Sequence, residues 1–237
     1  MIMGLGPLRP RARALCLAPF ADVQEAPPKV KTILVANRKG GCGKTLAAVT
    51  LATALADGGW KVGLADADPQ KSATRWLKRR PGHAVALEPL AYVPGKGLAE
   101  VERHLDWVII DAPGALDSEA AQAMVAGARA VITPVLPAFF DAEATRRFLR
   151  ELAEIKRIRK GKVALEVIAN RVRPRDRTGG GLVRLYARIG QEGAAEISER
   201  VAYPDLAEQG LSVFDTPGRA HAPLRAQWAP LIRALVA

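Results

Sequence analysis

From Lys31 onward the chain alternates short apolar runs with longer segments of helical pattern. Thr32-Ile33-Leu34-Val35-Ala36 is a continuous apolar run of strand length, and a glycine-rich turn follows it. Residues 46–56 then read as a buried helix closed by Gly58-Gly59. Val62-Gly63-Leu64-Ala65 runs into Asp66, and residues 107–110, 130–132 and 163–169 repeat the strand pattern. Helical segments are predicted between them, near 71–79, 117–127 and 141–158. Apolar runs without period-two alternation are what a strand covered on both faces requires. Alternating strands and helices therefore predict an α/β domain, a mostly parallel twisted sheet with helices on both faces. Near the C-terminus Leu224, Trp228, Leu231, Ile232 and Leu235 fall on one helix face, expected to pack on the sheet, with Pro230 expected to bend or interrupt that helix.

Residues 1–28 differ from the rest. Seven glycines and prolines punctuate them, and Arg9, Arg11 and Arg13 make them basic. The run Ala14-Leu15-Cys16-Leu17-Ala18 loosely resembles a signal peptide, but Pro19 ends it too early for a hydrophobic region. The stretch reads as a flexible basic extension, leaving 29–237 as one folded domain. The whole chain of 237 residues, 49% hydrophobic and 25% charged, suffices for a sizeable core. Two cysteines, Cys16 and Cys42, form no disulfide framework, the three histidines stand apart, and no Cys/His cluster has zinc spacing. No apolar run approaches the roughly 20 residues of a membrane span. A disulfide-rich extracellular protein, a zinc-cluster protein and a membrane-spanning protein are poor readings. The net charge of +11 points instead to a polyanionic partner.

Chemistry concentrates in the turn after the first strand, Lys39-Gly40-Gly41-Cys42-Gly43-Lys44-Thr45. It is a variant of the phosphate-loop pattern, with Arg38 where the usual register places its first glycine. Glycines let backbone N–H groups face an anion without interference from Cβ, and the following helix N-terminus favours negative charge. Lys44 is placed to reach β and γ phosphates, and the Thr45 hydroxyl to sit on Mg²⁺. Cys42, with no activating partner in sight, reads as a small side chain filling the loop.

These residues resemble the deviant Walker A motif of the ParA/MinD superfamily of P-loop ATPases, whose mark is the early lysine, here Lys39. The resemblance continues through Asp66-Ala67-Asp68-Pro69-Gln70, similar to the ending of that family's second motif. It includes Asp106-Trp107-Val108-Ile109-Ile110-Asp111-Ala112-Pro113-Gly114, similar to its Walker B strand and switch, and Val167-Ile168-Ala169-Asn170-Arg171, similar to a later strand. It implies a single-domain P-loop NTPase using ATP and Mg²⁺. Lys39 would cross to a partner's nucleotide, Lys44 would bind phosphate and Asp68 would orient the attacking water. Gly40, Gly41, Cys42, Gly43, Lys44, Thr45 and Leu46 would cradle the nucleotide, Asn170 would approach adenine, and Thr45, Asp68 and Asp111 would serve the metal, with Asp66 assisting. Leu46 departs from the family's usual Thr or Ser, which puts one α-phosphate hydrogen bond in doubt, and Ala112 replaces a switch threonine.

The resemblance further implies an ATP-bound homodimer, non-specific DNA binding and a cargo-associated activating protein, ParB-like or another adaptor. The protein is then expected in the cytoplasm on the nucleoid, without stable membrane association. A MinD-like membrane-cycling regulator is the main alternative, and a synthetase of the cobyrinic acid synthase type a more distant one. Between Glu143 and Arg184 thirteen basic residues face five acidic ones. Within that stretch Arg146, Arg147, Arg150, Lys156, Arg157, Arg159, Lys160, Arg171 and Arg173 are candidate contacts to a phosphate backbone, the alternative being a solvated helix face.

Overall fold

A computed structural model describes residues 30–93, 97–98, 104–114, 116 and 118–237. The extension expected over 1–28 lies outside the described residues. In chain order the elements are β1 (Lys31–Val35), α1 (Lys44–Asp57), β2 (Val62–Asp66), α2 (Ser72–Arg79), β3 (Glu88–Leu90), β4 (Tyr92–Val93), β5 (Gly97–Leu98), β6 (Trp107–Asp111), α3 (Ser118–Ala126) and β7 (Ala130–Val135). There follow α4 (Phe139–Glu154), α5 (Lys156–Arg159), β8 (Ala164–Val172), α6 (Pro174–Thr178), α7 (Gly181–Ile189), β9 (Ala195–Ser198), α8 (Ala202–Glu208) and α9 (Ala222–Val236).

Seven strands form one sheet in the order β3-β2-β6-β1-β7-β8-β9, and every neighbouring pair is parallel. The strands β4 and β5 make a separate antiparallel pair. The apolar runs divide by parity between the two faces, as a pleated strand requires. Ile33, Val35, Trp107, Ile109 and Ile132 face α1 and α9, while Leu34, Ala36, Val108, Ile110 and Val131 face α3 and α4. The helix α1 is buried along nearly its whole circumference, which explains why its sequence is apolar rather than amphipathic. Chain order reverses at β1: the segments after it build one wing through β2, and later segments build the other from β7. The C-terminal end of β1 is thus the topological switch point, where α/β sheets hold ligands.

Two expectations are corrected. The helix expected over 141–158 is two helices, because Ile155 adopts an extended conformation (φ −65°, ψ 121°) between α4 and α5. The break lets both Ile155 and Ile158 pack against the core. Pro230 does not interrupt α9. Pro230 is exposed, and so is Ala226, whose carbonyl the missing N–H leaves free for solvent. The expected parallel α/β sheet is present, and its edge strands β3 and β9 are short additions to the predicted set.

Candidate nucleotide site and basic surfaces

The turn between β1 and α1 is a formed loop. Gly41 (φ +76°) and Gly43 (φ +95°) hold left-handed conformations that other L-residues rarely adopt. A Cβ on Gly40 or Gly41 would meet nothing within 4 Å, so the loop's outer side is open. A Cβ on Gly43 would collide with the Asn170 amide. The first turn of α1 holds no acidic residue and Gly43 supplies no side-chain cap, which leaves the helix N-terminus free to meet an anion.

Behind the loop, buried polar side chains fix its path. Asn37, wholly buried, donates through Nδ2 to the Pro134 carbonyl at 2.8 Å and to Thr145 Oγ1 at 2.9 Å, and its Oδ1 accepts from the Lys39 amide at 3.0 Å. Asn170 Nδ2 donates to the Cys42 carbonyl at 2.8 Å. Arg171, which follows Asn170, holds φ +51°, and the β8–β9 register shifts between Ala169 and Val172. This irregularity coincides with the turn of Asn170 toward the loop, a common use of bulges beside sites. Arg38 donates through Nε to the Leu116 carbonyl at 2.7 Å and pairs with Glu151 of α4 at 2.6 Å. The loop is therefore tied to the segment after β6 and to α4. Cys42 is buried, its Sγ donates to the Lys39 carbonyl at 3.1 Å, and burial pushes its thiol up, so it fills space as a thiol.

Lys44 is buried, and a Cβ on Gly114 would stand 3.7 Å from its Nζ. Asp66 and Asp111 end neighbouring strands in register. Asp111 is fully buried, and neither carboxylate oxygen has a hydrogen bond of good geometry. Burial pushes its carboxyl up to about 7; the Thr45 side chain and Lys44 oppose this, while Asp66 and Asp68 add to it. An orphaned carboxylate beside a hydroxyl and a buried lysine fits Mg²⁺, which takes few protein ligands and completes its shell with water and phosphate oxygens. Accordingly, no cluster of three metal-ligating side chains is found among the described residues.

Asp66 itself is engaged. Its Oδ1 accepts from the Asp68 amide at 3.1 Å and its Oδ2 from the Thr74 amide at 2.8 Å, which caps the start of α2. The turn at Asp68 and the cap of α2 thus each take one of its oxygens. Asp68 is half-buried; Oδ1 accepts from the Gln70 amide at 2.8 Å, and among the described residues Oδ2 takes no hydrogen bond. Lys39 is half-buried, and among the described residues its ammonium makes no hydrogen bond or ion pair. Leu46 packs against the core beneath α1, and Ala112 is buried on the opposite sheet face.

Asn37, Arg38 and Gly114 were not singled out as structural supports of the site. The legible signal was Asn37, a polar residue closing an apolar run three residues before the first glycine of the loop. For Asn170 two roles meet at one side chain. If it chiefly holds the loop, Asn170→Ala weakens ATP and tripolyphosphate binding by the same factor, about tenfold for a buried carbonyl left unpaired. Loss of ATP affinity alone, measured by calorimetry, would assign it to the base.

The basic residues do not form one surface. Arg171 and Arg173 follow Asn170 at the loop's edge of the sheet, whereas α5 and Lys160 precede β8 and lie at the opposite edge. Arg173 is paired with Glu199, and Arg146 with Glu143 at 2.9 Å. Arg147, Arg150, Lys156, Arg157, Arg159 and Lys160 are exposed along the lower half of α4, α5 and the turn after it.

The sequence from residue 33 to 213 matches the family model described as CobQ/CobB/MinD/ParA nucleotide binding domain. The chain belongs to this family. The maintenance of carboxysome distribution protein A of Halothiobacillus neapolitanus is 29% identical over 81% of this chain and 90% of its own. The chromosome-partitioning ATPase Soj of Thermus thermophilus is 32% identical over 54% of this chain and 64% of its own. In structure, the MinC:MinD cell division protein complex of Aquifex aeolicus matches with a TM-score of 0.64 at 20% identity, covering 87% of this chain and 96% of that one. The likeness at that identity concerns the fold. Among the described residues no helix is long and apolar enough to cross a membrane. The apolar face of α9 packs in the core through Leu224, Trp228, Leu231 and Leu235, as its pattern predicts.

Proposed function

We propose that this protein is a ParA-type ATPase that positions or segregates a cargo. ATP closes two copies face to face, the pair binds DNA without sequence preference, and a cargo-borne adaptor, ParB-like or otherwise, speeds hydrolysis and release. The protein then works in the cytoplasm on the nucleoid. The carboxysome-distribution relative supports a protein assembly as cargo, and the chromosome-partitioning relative supports a DNA locus.

Each side chain has a task that suits its surroundings. The open loop amides and Lys44 bind the phosphates. Thr45 and Asp111, with Asp68 nearby, would hold Mg²⁺, which when bound supplies positive charge against the phosphate oxygens. Lys39, without a partner among the described residues, reaches the second copy's nucleotide, and the uncommitted oxygen of Asp68 orients water. Turnover by the chain alone is slow, as in a switch.

One observation carries the reading. The helix α4 is tied to the loop through Thr145 and Glu151, and the exposed cations continue from its lower half. A 16-residue helix spans about 24 Å, so nucleotide and DNA sites on opposite edges share one stiff element. In a gel-shift assay, ATP rather than ADP should support binding to random duplex DNA. Neutralising Arg157, Arg159 and Lys160 to alanine together should weaken it and lower the salt slope by about two to three. Equal binding with ADP, or an unchanged slope in the triple variant, would contradict the reading.

A further inference from the structure

We propose that Phe139 and Phe140 form an aromatic contact between two copies of this chain at the nucleotide-bearing rim. The proposal rests on the ATP-bound pair described above and names a part of its interface.

Phe139 is 55% and Phe140 78% exposed, whereas Phe148 and Phe214, the other described phenylalanines, are buried. The two rings meet edge to face, with centroids 5.3 Å apart and planes at 83°. The Arg188 guanidinium lies 4.5 Å from the Phe139 ring centre. Phe139 is thereby steadied while Phe140 projects into water. A ring of this kind offers about 200 Å², so the pair leaves about 250 Å² uncovered on each copy. Two copies together would bury about 500 Å², roughly a third of a standard interface.

The position of the rings singles out the occupant. They open α4 three residues after β7, the neighbour of β1, and so share a rim with the phosphate loop. Asn37 bridges the end of β7 and α4 from the base of that loop. The Asp141 charge also reaches the Cys42 thiol and raises it. A copy covering the loop's open side therefore meets the rings. Under two-fold symmetry one patch can face itself, and edge-to-face aromatic packing suits such self-contact.

The charges around the rings are mixed: Arg184 and Arg188 line the same cleft as Phe139, and Arg171, Arg173 and Arg175 line the adjoining one, with Asp176 in both and Glu199 in the second. Asp141 and Glu143 follow the rings in sequence. Arg188 is engaged by Phe139 and by Glu143 at 3.5 Å. The exposed cations of α5 lie at the far edge.

Sedimentation equilibrium of the full chain with Mg²⁺ and a non-hydrolysable ATP analogue tests the contact. Phe140→Ser should raise the dimer Kd about tenfold or more, and the Phe139→Ser/Phe140→Ser variant further, with nucleotide affinity and melting temperature of the monomer unchanged. Phe140→Tyr should stay within about threefold of wild type, since it keeps the ring. Serine variants that dimerise within twofold of wild type overturn the contact, and so does a loss confined to DNA binding. A wild type that stays monomeric with the analogue refutes the ATP-bound pair itself and removes this contact with it.

Discussion

Lys44→Ala leaves a folded protein that no longer binds ATP at ordinary concentrations. Lys44 is buried beside Gly114, and its ammonium takes no hydrogen bond among the described residues, so the empty protein loses little without it. The phosphates lose a charge-assisted contact in a partly desolvated site. Such losses run to about 3–4 kcal/mol, a hundred- to a thousandfold in affinity. Titration calorimetry gives the affinity and a thermal melt the stability. Affinity within tenfold of wild type would remove Lys44 from the phosphate site.

Asp68→Ala has the opposite signature: ATP stays bound, hydrolysis falls about a hundredfold, and the paired form accumulates on DNA. The binding groups, Lys44, Thr45 and the loop amides, are untouched by this change. One Asp68 oxygen serves the turn at Gln70, so a purely local role must be separated from a role toward water. Asp68→Asn does so, because its side-chain carbonyl still accepts from the Gln70 amide. If Asp68→Asn hydrolyses ATP at the wild-type rate, the residue shapes a turn and does not orient the attacking water.

The central strands and the loop were legible because each is a local pattern. A run such as Trp107-Val108-Ile109-Ile110 must be buried on both faces, and Gly41 and Gly43 announce positive φ. The edge strands were less legible. Glu88-Pro89-Leu90 carries a proline and a charge, which only an edge tolerates, and Ala195-Glu196-Ile197-Ser198 is too short to stand out. The break at Ile155 follows from tertiary packing, since nothing in Glu154-Ile155-Lys156 ends a helix by itself.

The site shows the same division. Lys44, Thr45 and Asp111 come together in the fold, because motif order on a parallel sheet brings strand ends together. The hydrogen bond that the Asn170 amide donates to the Cys42 carbonyl depends on the irregularity around Arg171, which no residue type signals. The basic stretch misled as a single surface. Residues close in sequence are carried to opposite edges by β8, and Arg146 and Arg173 find carboxylates that lie outside any local window or one helical turn away. The role of Asp66 as a cap for α2 likewise depends on Thr74, eight residues downstream.

The molar mass of the wild-type protein by light scattering, in Mg²⁺ with ATP and again with ADP, bears most directly on the whole account. A twofold higher mass with ATP, returning to the single-chain value with ADP, is the expected pair of results. A single-chain mass under both conditions, with ATP shown to be bound, would contradict it.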